Sequence, residues 1–252
     1  MDVIDSVAIV TGGNRGIGEA FVQAFLAAGA KRVYVGTRTL SNADLLVKED
    51  PERVVAVELD VSKPEQIEAA ADKCKDVSVV VNNAGVFHNK RLIGAEDISA
   101  ATDEMNVNYF GLLNMCRAFA PILKENGGGA IVNVLSGGGL AAVPAMGGYS
   151  PSKFAARAAS TCIRAELAKQ NTHVSSLIVG SVDTRMAAHV AGLKEQPSDI
   201  AKVGLRAIKH SIDEVDTDRM AVELRANLAR DPKAVERAMA RMLDANQIST
   251  GR

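Results

Sequence analysis

V7-A-I-V-T-G-G-N-R-G-I-G18 is the stretch whose reading decides the fold. Val7-Ala8-Ile9-Val10 is a short apolar run rich in β-branched side chains, the pattern of a strand buried on both faces. It runs into Thr11-Gly12-Gly13. Gly16-Ile17-Gly18 then opens a segment with Ala20, Phe21, Ala24 and Phe25 at helical spacing, stopped at Gly29. The unit is strand, glycine turn, helix. Glycines at such a turn let the main chain approach a pyrophosphate, whose charge meets N–H groups at the helix start. Thr11, Gly12, Asn14, Arg15, Gly16, Ile17 and Gly18 are its candidate binding residues. The spacing is G-x-x-x-G-x-G rather than G-x-G-x-x-G. No lysine followed by Ser or Thr comes after it, which argues against a P-loop.

Working outward, strands are predicted at 32–37, 54–59, 77–81, 130–135 and 174–179. Helices are predicted at 42–49, 64–75, 98–124 and 150–170. Pro64 sits in a first helical turn, where its missing N–H costs nothing. Strands alternating with helices of crossover length imply a parallel sheet covered on both faces. The expected fold is a Rossmann-like, doubly wound α/β sheet of six or seven strands in one domain, 1–252. A short strand candidate at 214–216 and helices at 199–210, 219–229 and from 232 onward make 211–252 a helical tail, Asp231-Pro232 capping its last helix. Between them, 181–197 has no clean period and reads equally well as a lid over a site or as an ordinary surface connection.

Composition excludes several classes. The 252 residues carry 29 basic and 30 acidic side chains, a net charge of -1, so no field favours nucleic acid or an anionic membrane. Cys74, Cys116 and Cys162 are far apart and odd in number, which suits reduced thiols and a cytoplasmic protein. His88, His173, His189 and His210 lack zinc-ligand spacing, so no metal is expected. Asp2 and Asp5 replace the basic start of a secretory signal. The uncharged stretch 126–152 is too rich in glycine for a membrane helix and reads as a buried strand followed by an active-site loop.

Tyr149 and Lys153 stand four apart, on one face of the helix predicted there. A fixed positive charge favours phenolate and draws a tyrosine toward general acid/base work. Alone, such a pair is more often a solvated couple on a helix. Its context changes the weighing. Ser136 as an acyl-transfer nucleophile is a poorer idea, since Val134 occupies the first glycine position of G-x-S-x-G.

T11-G-G-N-R-G-I-G18, N82-N-A-G85, V107-N-Y-F-G111, Ser136 and Y149-S-P-S-K153 together resemble the short-chain dehydrogenase/reductase family in its short, single-domain form, over 7–184. The resemblance implies a proton-transferring Tyr149, a Lys153 that lowers its pKa and holds the nicotinamide ribose, and a Ser136 that polarises the substrate oxygen. Asn108 would hold a water linking Lys153 to solvent. Residues 1–100 would mainly bind the cofactor, and 101–200 would carry the catalytic residues and substrate loop. Asp60 and Val61 resemble the adenine contact, while Asn82, Ala84 and Gly85 would line the adenosine side and Val182 and Thr184 would meet the nicotinamide. For Asn108 and Ser136 the bland alternatives are a solvated helix residue and a strand terminator.

An NAD enzyme places an acid at the end of the second strand, whereas NADP needs a cation for its 2′-phosphate. Here Thr37-Arg38 ends that strand and Arg15 adds a second cation, features that resemble NADP-preferring members, so NADP(H) is expected over NAD(H). Two departures stand out. Val179 replaces the proline common before Gly180, which points to a looser nicotinamide loop, and where many relatives close with a seventh strand and a glycine-rich turn the tail offers only the short strand candidate at 214–216. A homodimer or homotetramer is expected, with 98–124 and 150–170 pairing across the dimer axis through Cys116, Phe119 and Cys162. Leu140, Ala142, Val143, Met146 and Met186, with Phe87 nearby, would build an apolar pocket for a small carbonyl or alcohol substrate. The alternatives are an NADP(H)-binding sensor with little catalysis, and a synthase or epimerase using the hydride internally.

Overall fold

Apolar residues alternate along the inner strands, and the alternation sorts them onto two faces of one sheet. The computed structural model describes residues 1–188, 190 and 192–249, with side chains as far as 243. His189, weighed above as a metal ligand, and tail residues 250–252 lie outside the described residues. Among those described, seven strands form the sheet: β1 (Val7–Thr11), β2 (Arg32–Thr37), β3 (Val54–Glu58), β4 (Val79–Asn82), β5 (Gly129–Val134), β6 (Thr172–Ile178) and β7 (Glu214–Asp216). Their order is β3-β2-β1-β4-β5-β6-β7, every pair parallel. The order reverses between β1 and β4. In such sheets the carboxyl ends of the strands open a crevice at that point.

Ala8, Val10, Val33, Val35, Val79 and Val81 face one side, under α1 (Gly16–Ala27), α2 (Asp44–Glu49) and α7 (Pro197–His210). Val7, Ile9, Tyr34, Val80 and Ile131 face the other, under α3 (Pro64–Lys73), α5 (Leu112–Glu125) and α6 (Tyr149–Leu167). Phe21 and Phe25 of α1 are fully buried on the first face, Met115 and Phe119 of α5 on the second. Cys116 and Phe119 are therefore core residues and cannot meet a second subunit. The half-exposed aromatics of those two helical regions are Phe110 and Phe154.

α1 and α7 meet closely because Gly204 has no side chain. A Cβ there would collide with the ring of Phe21. Gly204→Ala is therefore expected to destabilise the protein by about 1–3 kcal/mol through overpacking, read as a lower urea midpoint.

One element differs from its sequence reading. The single helix expected over 98–124 is α4 (Ser99–Met105), a π-type turn (Asn106–Gly111) and then α5. Such wider turns often mark functional sites, and this one carries Asn108. β7 forms at the short strand candidate 214–216 and pairs with β6, giving the seven-stranded form of the expected sheet. Its three residues are too few to show a period. The tail continues as α8 (Arg219–Arg230) and α9 (Pro232–Ser249), Asp231 Oδ1 accepting the Ala234 N–H at 2.9 Å. Among the described residues no helix is long and apolar enough to cross a membrane.

Candidate active site

The glycine turn after β1 is held by Thr11 and by the chain leaving β4. The Thr11 hydroxyl donates to the Val81 carbonyl (3.3 Å) and accepts the N–H groups of Asn83 (3.0 Å) and Ala84 (2.9 Å). Asn83 returns the contact, its Nδ2 donating to the carbonyls of Thr11 (2.9 Å) and Gly12 (3.2 Å). Gly12 and Gly16 lie in the left-handed region, with φ of 61° and 56°. A Cβ on Gly18 would strike the Gly12 carbonyl and Asn83, so α1 can start against its own turn only with glycine there.

A cleft of about 800 Å³ joins this turn to the catalytic candidates. Gly12, Asn14, Arg15, Gly16 and Ile17 line it from the turn, Thr37 and Arg38 from the end of β2, Asp60 and Val61 from the end of β3. Ala84, Gly85, Ser136, Tyr149, Lys153, Val182 and Thr184 complete the expected wall. Thr11, Gly18, Asn82 and Asn108 stand behind it. Among the described lining residues the one acid is Asp60, whose Oδ1 accepts from Ser62. The cations Arg15 and Arg38 are exposed at the surface.

Asn82 departs from the expected adenosine contact. As the last residue of β4 it points into the body, where its Nδ2 donates to Asn133 Oδ1 (2.8 Å); Asn133 in turn donates to Ser160 (2.8 Å). The next residue, Asn83, faces the cleft. The period of two decides between adjacent asparagines, and their identities alone do not.

Ser136 lies two residues beyond the end of β5, where it caps the turn at Gly137–Gly139, and Tyr149 starts α6. The two side chains share a hydrogen bond, and Phe87 packs edge-on against the Tyr149 ring at 5.2 Å between centroids. Lys153, one turn further, is 5% exposed, and its Nζ lies 5.6 Å from the ring centroid and donates to the Val134 carbonyl at 3.0 Å. Burial pushes the Tyr149 phenol upward from its ordinary pKa, the Ser136 hydrogen bond opposes that, and the charge of Glu104 adds to it. Burial lowers the Lys153 ammonium to about 8. Desolvation is the largest influence on each group, opposing both the phenolate of Tyr149 and the ammonium of Lys153.

Lys153 is a buried charge with a single neutral acceptor, a costly arrangement. Its folded pKa lies below its ordinary value, so the unfolded chain holds the proton to higher pH. Its contribution to stability therefore rises between about pH 8 and the ordinary lysine value of 10.5. Lys153→Met is expected to stabilise the fold by about 1–3 kcal/mol at neutral pH. Thermal unfolding should show that gain shrinking as pH climbs through this window.

Asn108 clamps three segments. Its Oδ1 accepts the Val86 N–H (2.9 Å), and its Nδ2 donates to the Val86 carbonyl (3.0 Å) and to Ser152 (3.0 Å). Beside it a cavity of about 10 Å³, lined by Asn108, Lys153, Asn82 and Thr11, matches one water molecule in size. Asn108 is thus buried, not solvated, at 1% exposure.

Val179-Gly180 is fastened from the tail. Asp218 Oδ2 accepts the Gly180 N–H at 2.6 Å, and its Oδ1 accepts the Ala221 N–H at 3.0 Å, capping α8. The looseness expected from the missing proline is countered by this carboxylate, which lies 38 residues downstream. The following loop closes on itself through Asp183 and Ser181 to Glu195 (2.9 Å each). Of the expected apolar pocket, Phe87 and Met186 line the cleft, whereas Val143 is buried and Leu140 packs against the core.

The family model described as "short chain dehydrogenase" matches residues 6–194. A 3-alpha-(or 20-beta)-hydroxysteroid dehydrogenase of Mycobacterium tuberculosis is 34% identical over 81% of this chain and 76% of its own. A short chain dehydrogenase from Burkholderia cenocepacia, solved in complex with NADP, superposes with a TM-score of 0.89 and 40% identity, covering 95% of this chain and 99% of its own. An alcohol dehydrogenase from Thermococcus sibiricus, complexed with 5-hydroxy-NADP, gives 0.75 and 29%, over 85% of this chain and 98% of its own. Strand order, glycine turn, the Ser136, Tyr149 and Lys153 cluster and these likenesses converge: the chain belongs to the short-chain dehydrogenase/reductase family of oxidoreductases.

Proposed function

We propose that the protein is an NADPH-dependent oxidoreductase acting on a carbonyl/alcohol pair, with Tyr149 as general acid/base. The observation that carries this reading is the single cleft that holds the glycine turn, two cations and the Ser136, Tyr149 and Lys153 group together. The donor set fits the cofactor: Arg15 and Arg38 suit a 2′-phosphate, and Thr37 stands where an acid would meet free ribose hydroxyls. When bound, the cofactor supplies or takes a hydride at its nicotinamide. Tyr149 gives the proton to the carbonyl oxygen, or takes it from the alcohol, while Ser136 hydrogen-bonds that oxygen. Lys153 and Asn108, with the water-sized cavity between them, resupply the proton. The NADP complex of the Burkholderia relative and the hydroxysteroid dehydrogenase likeness support the same reading. Phe87 and Met186 favour an apolar substrate.

A panel of ketones, aldehydes and alcohols followed by NADPH absorbance tests it, with kcat/KM compared for NADPH and NADH. Net cofactor oxidation with a carbonyl is expected. Binding without turnover across the panel would favour a sensor, and turnover without net consumption a synthase or epimerase. A cytoplasmic homodimer or homotetramer completes the proposal, Phe110 and Phe154 supplying exposed apolar contacts.

A further inference from the structure

Glu104 of α4 is 1% exposed, the most deeply buried carboxylate among the described residues. A side chain of similar volume without charge would cost far less to seal there, so the charge calls for an explanation. Its Oε1 accepts the main-chain N–H of His88 at 2.8 Å, and its Oε2 lies against Gly148, the residue before Tyr149. The fit is close. A Cβ on Gly148 would come within 2.7 Å of Oε2 and 2.5 Å of the Ala101 Cα, so only glycine lets α4 approach the start of α6 this way. Glu104 thereby ties the segment after β4, which lines the cleft through Phe87 and His88, to the start of α6, whose first residue carries the phenol.

We propose that Glu104 is a positioning residue for Tyr149: its carboxylate anchors the main chain at His88, packs against Gly148 at the start of α6, and when ionised brings a negative charge to the neighbourhood of the phenol. The inference rests on the reading of Tyr149 as proton donor. A negative charge there disfavours phenolate, and with burial it keeps the hydroxyl in the proton-donating form that carbonyl reduction uses. The other charged groups around the pair are Lys153 on α6 and Asp103 on α4, the latter bound to the His88 imidazole at 2.6 Å; Lys90 and Arg91 meet Gly147 through their main chain, and the Arg91 guanidinium reaches the Leu243 carbonyl instead.

The test is an NMR titration of isotope-labelled tyrosine Cζ, the Tyr149 signal being assigned by its loss in Tyr149→Phe, with and without added NADP+. This readout needs no substrate, so it can succeed or fail independently of the proposed activity. Glu104→Gln, which keeps shape and removes charge, is expected to move the Tyr149 midpoint to lower pH. Glu104→Asp, which keeps the charge but shortens the reach, is expected to hold the midpoint high and to lower turnover about tenfold through misplacement of the phenol. A Glu104→Gln midpoint at or above that of the unsubstituted protein overturns the proposal. So does a Glu104→Asp midpoint that falls as far as that of Glu104→Gln. If Glu104→Gln does not fold, the Asp variant decides alone: a Tyr149 midpoint below that of the unsubstituted protein overturns the proposal.

Discussion

Tyr149→Phe is expected to cut turnover by roughly 10²–10⁴-fold while leaving NADPH binding and the fold in place. In the proposed mechanism the hydroxyl is the atom that exchanges a proton with the substrate oxygen, and neither Ser136 nor Lys153 is placed to replace it without moving. Ser136 has an acceptor duty toward the Gly138 N–H at 3.1 Å, and Lys153 Nζ is spent on the Val134 carbonyl at 3.0 Å. The ring itself is retained in the variant, with its edge contact to Phe87. Stability should change by no more than about 1 kcal/mol, since one hydrogen bond is lost and an apolar ring remains. Single-turnover kinetics with fluorescence titration of NADPH separates the two effects. Unchanged turnover would remove Tyr149 from the mechanism.

Arg38→Asp should invert cofactor preference. It replaces a guanidinium at the end of β2, exposed and on the cleft wall, with the acid that a ribose 2′-hydroxyl would prefer. The loss in kcat/KM for NADPH is expected at roughly a hundredfold, corresponding to about 2–3 kcal/mol of charge-assisted contact, with NADH improved or unchanged. Arg15 remains as a second cation, so the loss should deepen in the double variant Arg15→Ala, Arg38→Asp. Rising salt should weaken NADPH more than NADH in the parent protein, because the added contact is ionic. Equal losses for both cofactors would mean that Arg38 serves the fold and not the choice between them.

The tail carries a structural lesson as well. The ion pairs of Glu214 with Arg157 (2.8 Å) and Arg225 (2.8 Å), and of Asp216 with Arg225 (2.6 Å), tie β7 to α6 and α8. Side chains of this network are a third or less exposed apart from Arg157 and Arg225, which reach 35% and 39%. Screening limits what each pair contributes. Their placement nevertheless fixes the entry to α8, whose cap Asp218 reaches back to Gly180.

By itself the sequence determined the strand–turn–helix at Val7 to Gly18, the alternation that demands a parallel sheet, and the pairing of Tyr149 with Lys153. Each of these is written in short-range periods: two for a strand, nearly four for a helix, and glycine where a main chain must turn or be approached. Only the tertiary structure decided which of Asn82 and Asn83 faces the cleft, since one residue of register turns a side chain from core to site. It also decided that Asp218 holds Gly180, 38 residues earlier, and that Glu104 sits against Gly148 at the start of α6. No local pattern announces such partners. A buried carboxylate and an exposed one look alike in a sequence, and the chain must fold before burial gives either of them a role.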